Sequence, residues 1–228
     1  MVMAEATNHY FKHLGVSDGL SQVCIPSIYQ DELGAVWLGT TEGLNRYNGK
    51  DVKVFQPSES NHGLTNNEIN ELCGDKNGRM YIRSGNDLIK LDIYTEQFTC
   101  LRQKGVYGLF CKKDTLWVSC ADGIYYYTGQ GTELTFFARV QKGFVGRALY
   151  VDKETVWVVT RKYLVAISRE DPLRQEILLT LDKGNCILGD SSGNIWVGAW
   201  NGLYRISPNR ETTAYVSHSG MGELSDNQ

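Results

Sequence analysis

The chain has 228 residues, 42% of them hydrophobic, with 23 basic residues against 26 acidic ones and a formal net charge of −3. That length can bury a sizeable core, and the near balance of charge, without long runs of one sign, leaves no footprint for nucleic acid or an anionic lipid surface. No stretch is apolar over the length of a membrane span, and the opening Met1-Val2-Met3-Ala4-Glu5 lacks the basic and apolar segments of a secretory signal.

In chain order, residues 1–8 read as a disordered leader and residues 9–14 as an isolated outer strand. Five units follow, at 20–57, 64–102, 105–138, 143–180 and 183–217, and residues 218–228 resemble the lead into a further unit. The units are defined by one aromatic anchor each: Trp37, Tyr81, Trp117, Trp157 and Trp196, separated by 44, 36, 40 and 39 residues. A period near 40 residues is that of a four-stranded β-propeller blade.

The residues on either side of each anchor are apolar: Val36 and Leu38, Met80 and Ile82, Leu116 and Val118, Val156 and Val158, Ile195 and Val197. Three consecutive apolar residues cover both faces of a strand, because successive side chains point in opposite directions. A strand stacked between two other sheets needs that double coverage, so the pattern predicts an all-β fold of radially stacked, four-stranded antiparallel blades. Seven residues past the anchors, Leu44, Leu88, Ile124, Leu164 and Leu203 mark the next strand. The position before them holds Gly43, Asp87, Gly123, Tyr163 and Gly202, where glycine suits a tight turn.

Upstream of three anchors, Asp31-Glu32-Leu33-Gly34, Asp75-Lys76-Asn77-Gly78 and Asp190-Ser191-Ser192-Gly193 read as hairpin turns whose aspartate bonds turn amides. In the third and fourth units this segment is one residue shorter and loses its glycine. Such turns offer too few oxygens for calcium, and no metal or cofactor site is predicted. An inner strand is expected at Ile25-Pro26-Ser27-Ile28, and outer strands at 52–55, 135–137 and 212–216.

The six cysteines, Cys24, Cys73, Cys100, Cys111, Cys120 and Cys186, show neither paired metal spacing nor a dense disulfide framework and read as small buried hydrophobes. A Cys111–Cys120 disulfide in an oxidising compartment is the alternative. The four histidines, His9, His13, His62 and His218, lie in terminal or inter-unit segments, which is poor placement for a general acid or base. No catalytic residue is predicted.

Loops joining the second and third strands of every blade reach one rim, which is the expected contact surface. Its candidate ligand-facing residues are Glu42, Asn86 and Arg161, which offer hydrogen bonds, and Trp200, which either stacks on a ligand or packs between blades. Alternation sends Tyr125, Tyr126 and Tyr127 to opposite faces, which favours packing over a ligand platform. Arg46, Lys90 and Arg205, each nine past its anchor, read as solvated groups or inter-blade partners.

The stretch from Tyr29 to Tyr47, with Asp31, Gly34, Trp37, Gly39, Thr40, Gly43, Leu44 and Arg46, resembles the two-component regulator propeller repeat, and it recurs from Leu188 to Ile206. The resemblance implies the sensor region of a hybrid two-component regulator in the periplasm. There the ring is seven-bladed, of which this chain would supply five blades and a ring-closing outer strand. Further blades and domains of the same protein would then be its partners, among them a membrane span and a histidine kinase outside this chain. An oligosaccharide is the ligand the resemblance suggests. An unfinished ring would expose apolar blade faces, for which a homodimer is one expected outcome. Two alternatives stand beside this: an interaction propeller without a signalling role, and a virginiamycin-lyase-like enzyme.

Overall fold

The computed structural model describes residues 13–57, 63–129 and 131–216. Among these residues twenty strands form five separate sheets, each a four-stranded antiparallel meander. Blade 1 contains β1 (Ser27–Gln30), β2 (Val36–Thr40), β3 (Gly43–Tyr47) and β4 (Val52–Phe55). Blade 2 contains β5 (Ile69–Gly74), β6 (Arg79–Ser84), β7 (Asp87–Asp92) and β8 (Gln97–Arg102). Blade 3 contains β9 (Val106–Lys112), β10 (Thr115–Cys120), β11 (Gly123–Tyr127) and β12 (Thr135–Ala138). Blade 4 contains β13 (Gly146–Val151), β14 (Thr155–Thr160), β15 (Tyr163–Ser168) and β16 (Gln175–Thr180). Blade 5 contains β17 (Cys186–Gly189), β18 (Ile195–Ala199), β19 (Gly202–Ile206) and β20 (Thr212–Tyr215). The chain is therefore an all-β, propeller-like array.

The apolar triplets divide as the alternation of a strand requires. Trp37 joins Met80 and Ile82 in one buried cluster, Tyr81 joins Leu116 and Val118 in the next, Trp117 joins Val156 and Val158, and Trp157 joins Ile195 and Val197. The first four anchors thus point at the following blade, and in blades 2 to 5 the two neighbours of the anchor point at the preceding one. The apolar residues of a blade fill two different interfaces, so the hydrophobic core lies between sheets.

The turn aspartates hold more than the turn. Asp31 accepts the amides of Leu33 at 3.0 Å and Ala35 at 2.9 Å with one oxygen, and the Trp37 indole N–H at 2.8 Å with the other. Asp190 accepts the amides of Ser192 and Asn194 and the Trp196 indole, all at 2.9 Å. Asp152 binds the Trp157 indole at 2.7 Å across the shorter hairpin. These hydrogen bonds favour the charged carboxylate: donation from the Trp196 indole and the Asn194 side chain lowers the pKa of Asp190 to about 2. In blade 2 the anchor is Tyr81, which has no indole, and Asp75 binds the Arg79 guanidinium instead.

Several expectations need correction. Pro26 precedes β1 and is not in it, because it has no N–H for the ladder. Residues 9–12 of the expected isolated strand, His9, His62, His218 and the lead at 218–228 lie outside the described residues, and His13 and Leu14 are not in a strand. Cys24 and Cys186 are exposed and not core residues. Cys111 pairs across the ladder with Leu116 and Cys120 with Val106. Cys120 thus sits four residues beyond the partner of Cys111, about 13 Å along the strand, which no disulfide spans.

Candidate functional site

Every β-hairpin between the second and third strands of a blade reaches the rim where the inner strands begin. Residues three past the anchor close it: Thr40 is fully buried, its hydroxyl donating to the Gly43 carbonyl at 2.9 Å and accepting the Glu42 amide at 3.0 Å. Thr160 does the same in blade 4, accepting the Tyr163 amide at 2.8 Å. Ser84 donates to the carbonyl of Asn66 at 2.8 Å and so ties the hairpin of blade 2 to the incoming connection.

Three inner strands carry a β-bulge at their rim end. In β5 the ladder pairs Ile69 with Ser84 and Glu71 with Arg83, in β9 Val106 with Cys120 and Gly108 with Ser119, and in β13 Gly146 with Thr160 and Ala148 with Val159. The unmatched residues are Asn70, Tyr107 and Arg147. A bulge frees the extra residue from the ladder and re-aims its side chain. Tyr107 and Arg147 are both exposed, and they meet at one groove between blades 3 and 4.

That groove has a volume of about 380 Å³ and is lined by Tyr107, Phe144, Arg147, Thr160, Arg161 and Lys162. Phe144 is held by the Tyr163 ring, with centroids 4.8 Å apart. Two aromatic walls and three cations converge there, and no carboxylate lines the space. Among the described residues, none of the three cations has a salt bridge. In a chain of net charge −3 this is a local positive site, suited to a ligand with a flat face and negative groups.

Of the four rim residues named from the sequence, only Arg161 enters this groove. Glu42 and Asn86 are exposed on the hairpins of blades 1 and 2. Trp200 is 47% exposed on the hairpin of blade 5, with the Lys183 ammonium 3.5 Å from its ring centre, so its face is already covered by a cation. Tyr107 and Arg147 escaped sequence reasoning because a bulge residue looks like ordinary spacing variation between repeats, and Phe144 because it lies in the connection between blades 3 and 4. The tyrosine run divides as alternation predicts: Tyr127 stacks edge-on to Tyr81, and Tyr126 tilts against Trp117. Arg46 reaches Glu96 of blade 2 at 2.9 Å, and Lys90 reaches the Tyr127 hydroxyl of blade 3 at 3.4 Å, both between blades. Arg205 stays within its own blade, donating to Thr213 at 3.3 Å.

Among the described residues no group of three or more His, Cys, Asp or Glu side chains is placed to hold a metal ion, and no helix is long and apolar enough to cross a membrane. A half-buried carboxylate does stand near the rim. Glu71 accepts the Leu109 amide at 3.1 Å and the Arg83 guanidinium at 3.3 Å, and burial raises its pKa against the opposing pull of Arg83.

Residues 19–42 match the family described as two component regulator propeller. A histidine kinase of Formosa agariphila is 40% identical over 53 residues, which is 23% of this chain and 4% of that protein. Among solved structures, the extracellular domain of a hybrid two component system from B. thetaiotaomicron superimposes with a TM-score of 0.78 at 23% identity, over 95% of this chain and 33% of that one. The extracellular domain of a one component system from the same organism gives a TM-score of 0.76 at 20% identity, over 92% of this chain and 33% of the other. The chain thus spans about a third of the length of these structures. At these identities the superpositions establish the fold. Blade 1 carries a two component regulator propeller repeat, on a fold shared with the extracellular domains of bacterial regulatory systems.

Proposed function

We propose that this chain is a non-catalytic sensor module of a hybrid two-component regulator. In this reading it sits in the periplasm, and it relays ligand binding toward a transmembrane histidine kinase encoded outside these residues. The repeat at residues 19–42 supports the signalling role, and the bulged Tyr107 and Arg147 beside Arg161 and Lys162 support ligand contact at the rim. The ligand class is an oligosaccharide bearing carboxylate or sulfate groups, whose sugar faces meet Tyr107 and Phe144 while its anionic groups meet the three cations.

Titration calorimetry of the chain against matched neutral and acidic oligosaccharides checks this. Binding of an acidic member that weakens about tenfold or more in Arg147→Ala or Arg161→Ala, and declines with added salt, is the expected result. Equal binding of neutral and acidic sugars, or affinity unchanged in both variants, would remove the groove from the reading. A kinase-free gene carrying this segment would remove the signalling role.

A further inference from the structure

The inner strands of neighbouring blades run side by side in one repeating register. In blades 1 and 2, the Leu72 amide donates to the Ser27 hydroxyl at 2.9 Å, and two residues further along both strands the Tyr29 ring covers Gly74. In blades 2 and 3, the Leu109 amide donates to the Glu71 carboxylate at 3.1 Å. Two residues further along both of these strands stand Cys73 and Cys111. The same socket is filled by Phe110 and Val151 between blades 3 and 4, which share a buried cluster, and by Tyr150 over Gly189 between blades 4 and 5. A large ring meets a small residue in those three interfaces, and two thiols meet in the remaining one.

Independent contacts agree with that register. Cys73 and Cys111 pack against the same buried cluster between blades 2 and 3. Blades radiate outward, so the inner strands are where adjacent sheets come closest. A Cβ added to Gly108 of β9 would lie 2.6 Å from the Arg147 carbonyl oxygen of β13. Both thiols are partly accessible to solvent.

We infer that Cys73 and Cys111 form a covalent site, an inter-blade disulfide made by exchange with a low-molecular-weight or protein disulfide. This inference is independent of the ligand groove and of the signalling role. Burial raises the pKa of the Cys73 thiol well above its ordinary value and holds it protonated, which leaves Cys111 as the attacking sulfur. The Cys111 thiolate attacks the donor disulfide, a Cys111–donor S–S bond forms, and one donor thiolate leaves. The Cys73 sulfur gives up its proton and attacks the Cys111 sulfur, forming the Cys73–Cys111 bond and expelling the second donor thiolate. Two protein thiols lose two electrons and two protons, and the donor disulfide becomes two thiols. The bond closes a loop of about 38 residues, long enough to restrict the unfolded chain substantially.

The test uses the whole chain carrying Cys24→Ser and Cys186→Ser, which removes the two exposed thiols. It is equilibrated with oxidised glutathione, its remaining thiols are blocked with N-ethylmaleimide, and it is digested without reductant and mapped by mass spectrometry. The expected result is a cross-linked peptide pair joining Cys73 and Cys111, about 2 Da lighter than the two thiol peptides together. It is accompanied by a thermal midpoint about 5–10 °C higher, reversed by dithiothreitol. In a further Cys73→Ser variant, Cys111 accumulates as its glutathione adduct. Recovery of Cys73 and Cys111 as separate maleimide or glutathione adducts overturns the inference, and so does a dominant link from either to Cys100 or Cys120. The peptide map is read on a protein that retains both residues, so a variant that fails to fold leaves the answer intact.

Discussion

Asp31 shows how much one side chain does in this fold. It is 4% exposed and satisfies two turn amides and the indole N–H of the anchor that fills the next interface, so the hairpin and the inter-blade core share one carboxylate. Removing it leaves a buried indole N–H and two amides without their acceptor, each a desolvation cost with no compensation. Asp31→Ala is expected to destabilise the chain by about 2–4 kcal/mol in urea denaturation. Asp114→Ala, in the shortened hairpin of blade 3, removes only an exposed hydrogen bond from the Asn77 side chain and is expected to change stability by less than about 0.5 kcal/mol. The aspartate turns were legible from Asp, Gly and the spacing to the anchor. The indole bond was not, because nothing in the spacing says that the second carboxylate oxygen reaches back over the strand.

At the scale of strands, the apolar triplets were enough to place the central strand of each blade and to require sheets on both sides. The same strands hid what makes the rim distinctive. Asn70, Tyr107 and Arg147 each add one residue to an inner strand, and the repeat length already varies by more than that, so the bulges leave no trace in the sequence. The hairpin loops drew attention to Glu42, Asn86, Arg161 and Trp200, of which only Arg161 lines the groove, whereas Tyr107 and Arg147 come from inner strands and Phe144 from a connection. Stacking of inner strands is nevertheless demanding. At Gly189 an added Cβ would fall 2.1 Å from Cζ of Tyr150, a rigid ring with no room to retreat. Gly189→Ala is expected to cost about 1–3 kcal/mol, and Tyr150→Leu combined with it is expected to recover part of that loss. A double-mutant cycle read by denaturation checks it, and strictly additive losses would count against the socket.

For the whole molecule, the division of each blade's apolar residues between two interfaces makes stability a nearest-neighbour quantity. Blades 2, 3 and 4 are covered on both faces. Among the described residues no blade covers the outer faces of blades 1 and 5, and Ile28, whose equivalents Leu72, Leu109 and Leu149 are buried, is 63% exposed, as Leu188 is at 64%. Amide exchange is therefore expected to be slowest in β6, β10 and β14 and faster in β2 and β18, because opening an end blade breaks one interface and opening an inner blade breaks two. Uniform protection across the five central strands would contradict nearest-neighbour coupling.

The direction of the anchors has an evolutionary consequence. Each blade presents a bulky ring forward and two smaller side chains backward, so a single repeat already encodes both halves of the joint it will need. Tandem duplication of such a segment lengthens the array without inventing a new surface, and every copy docks in one polarity, as in a head-to-tail polymer. Divergence can then act on one junction at a time, exchanging a ring and a glycine for two thiols while the joints on either side keep their fit.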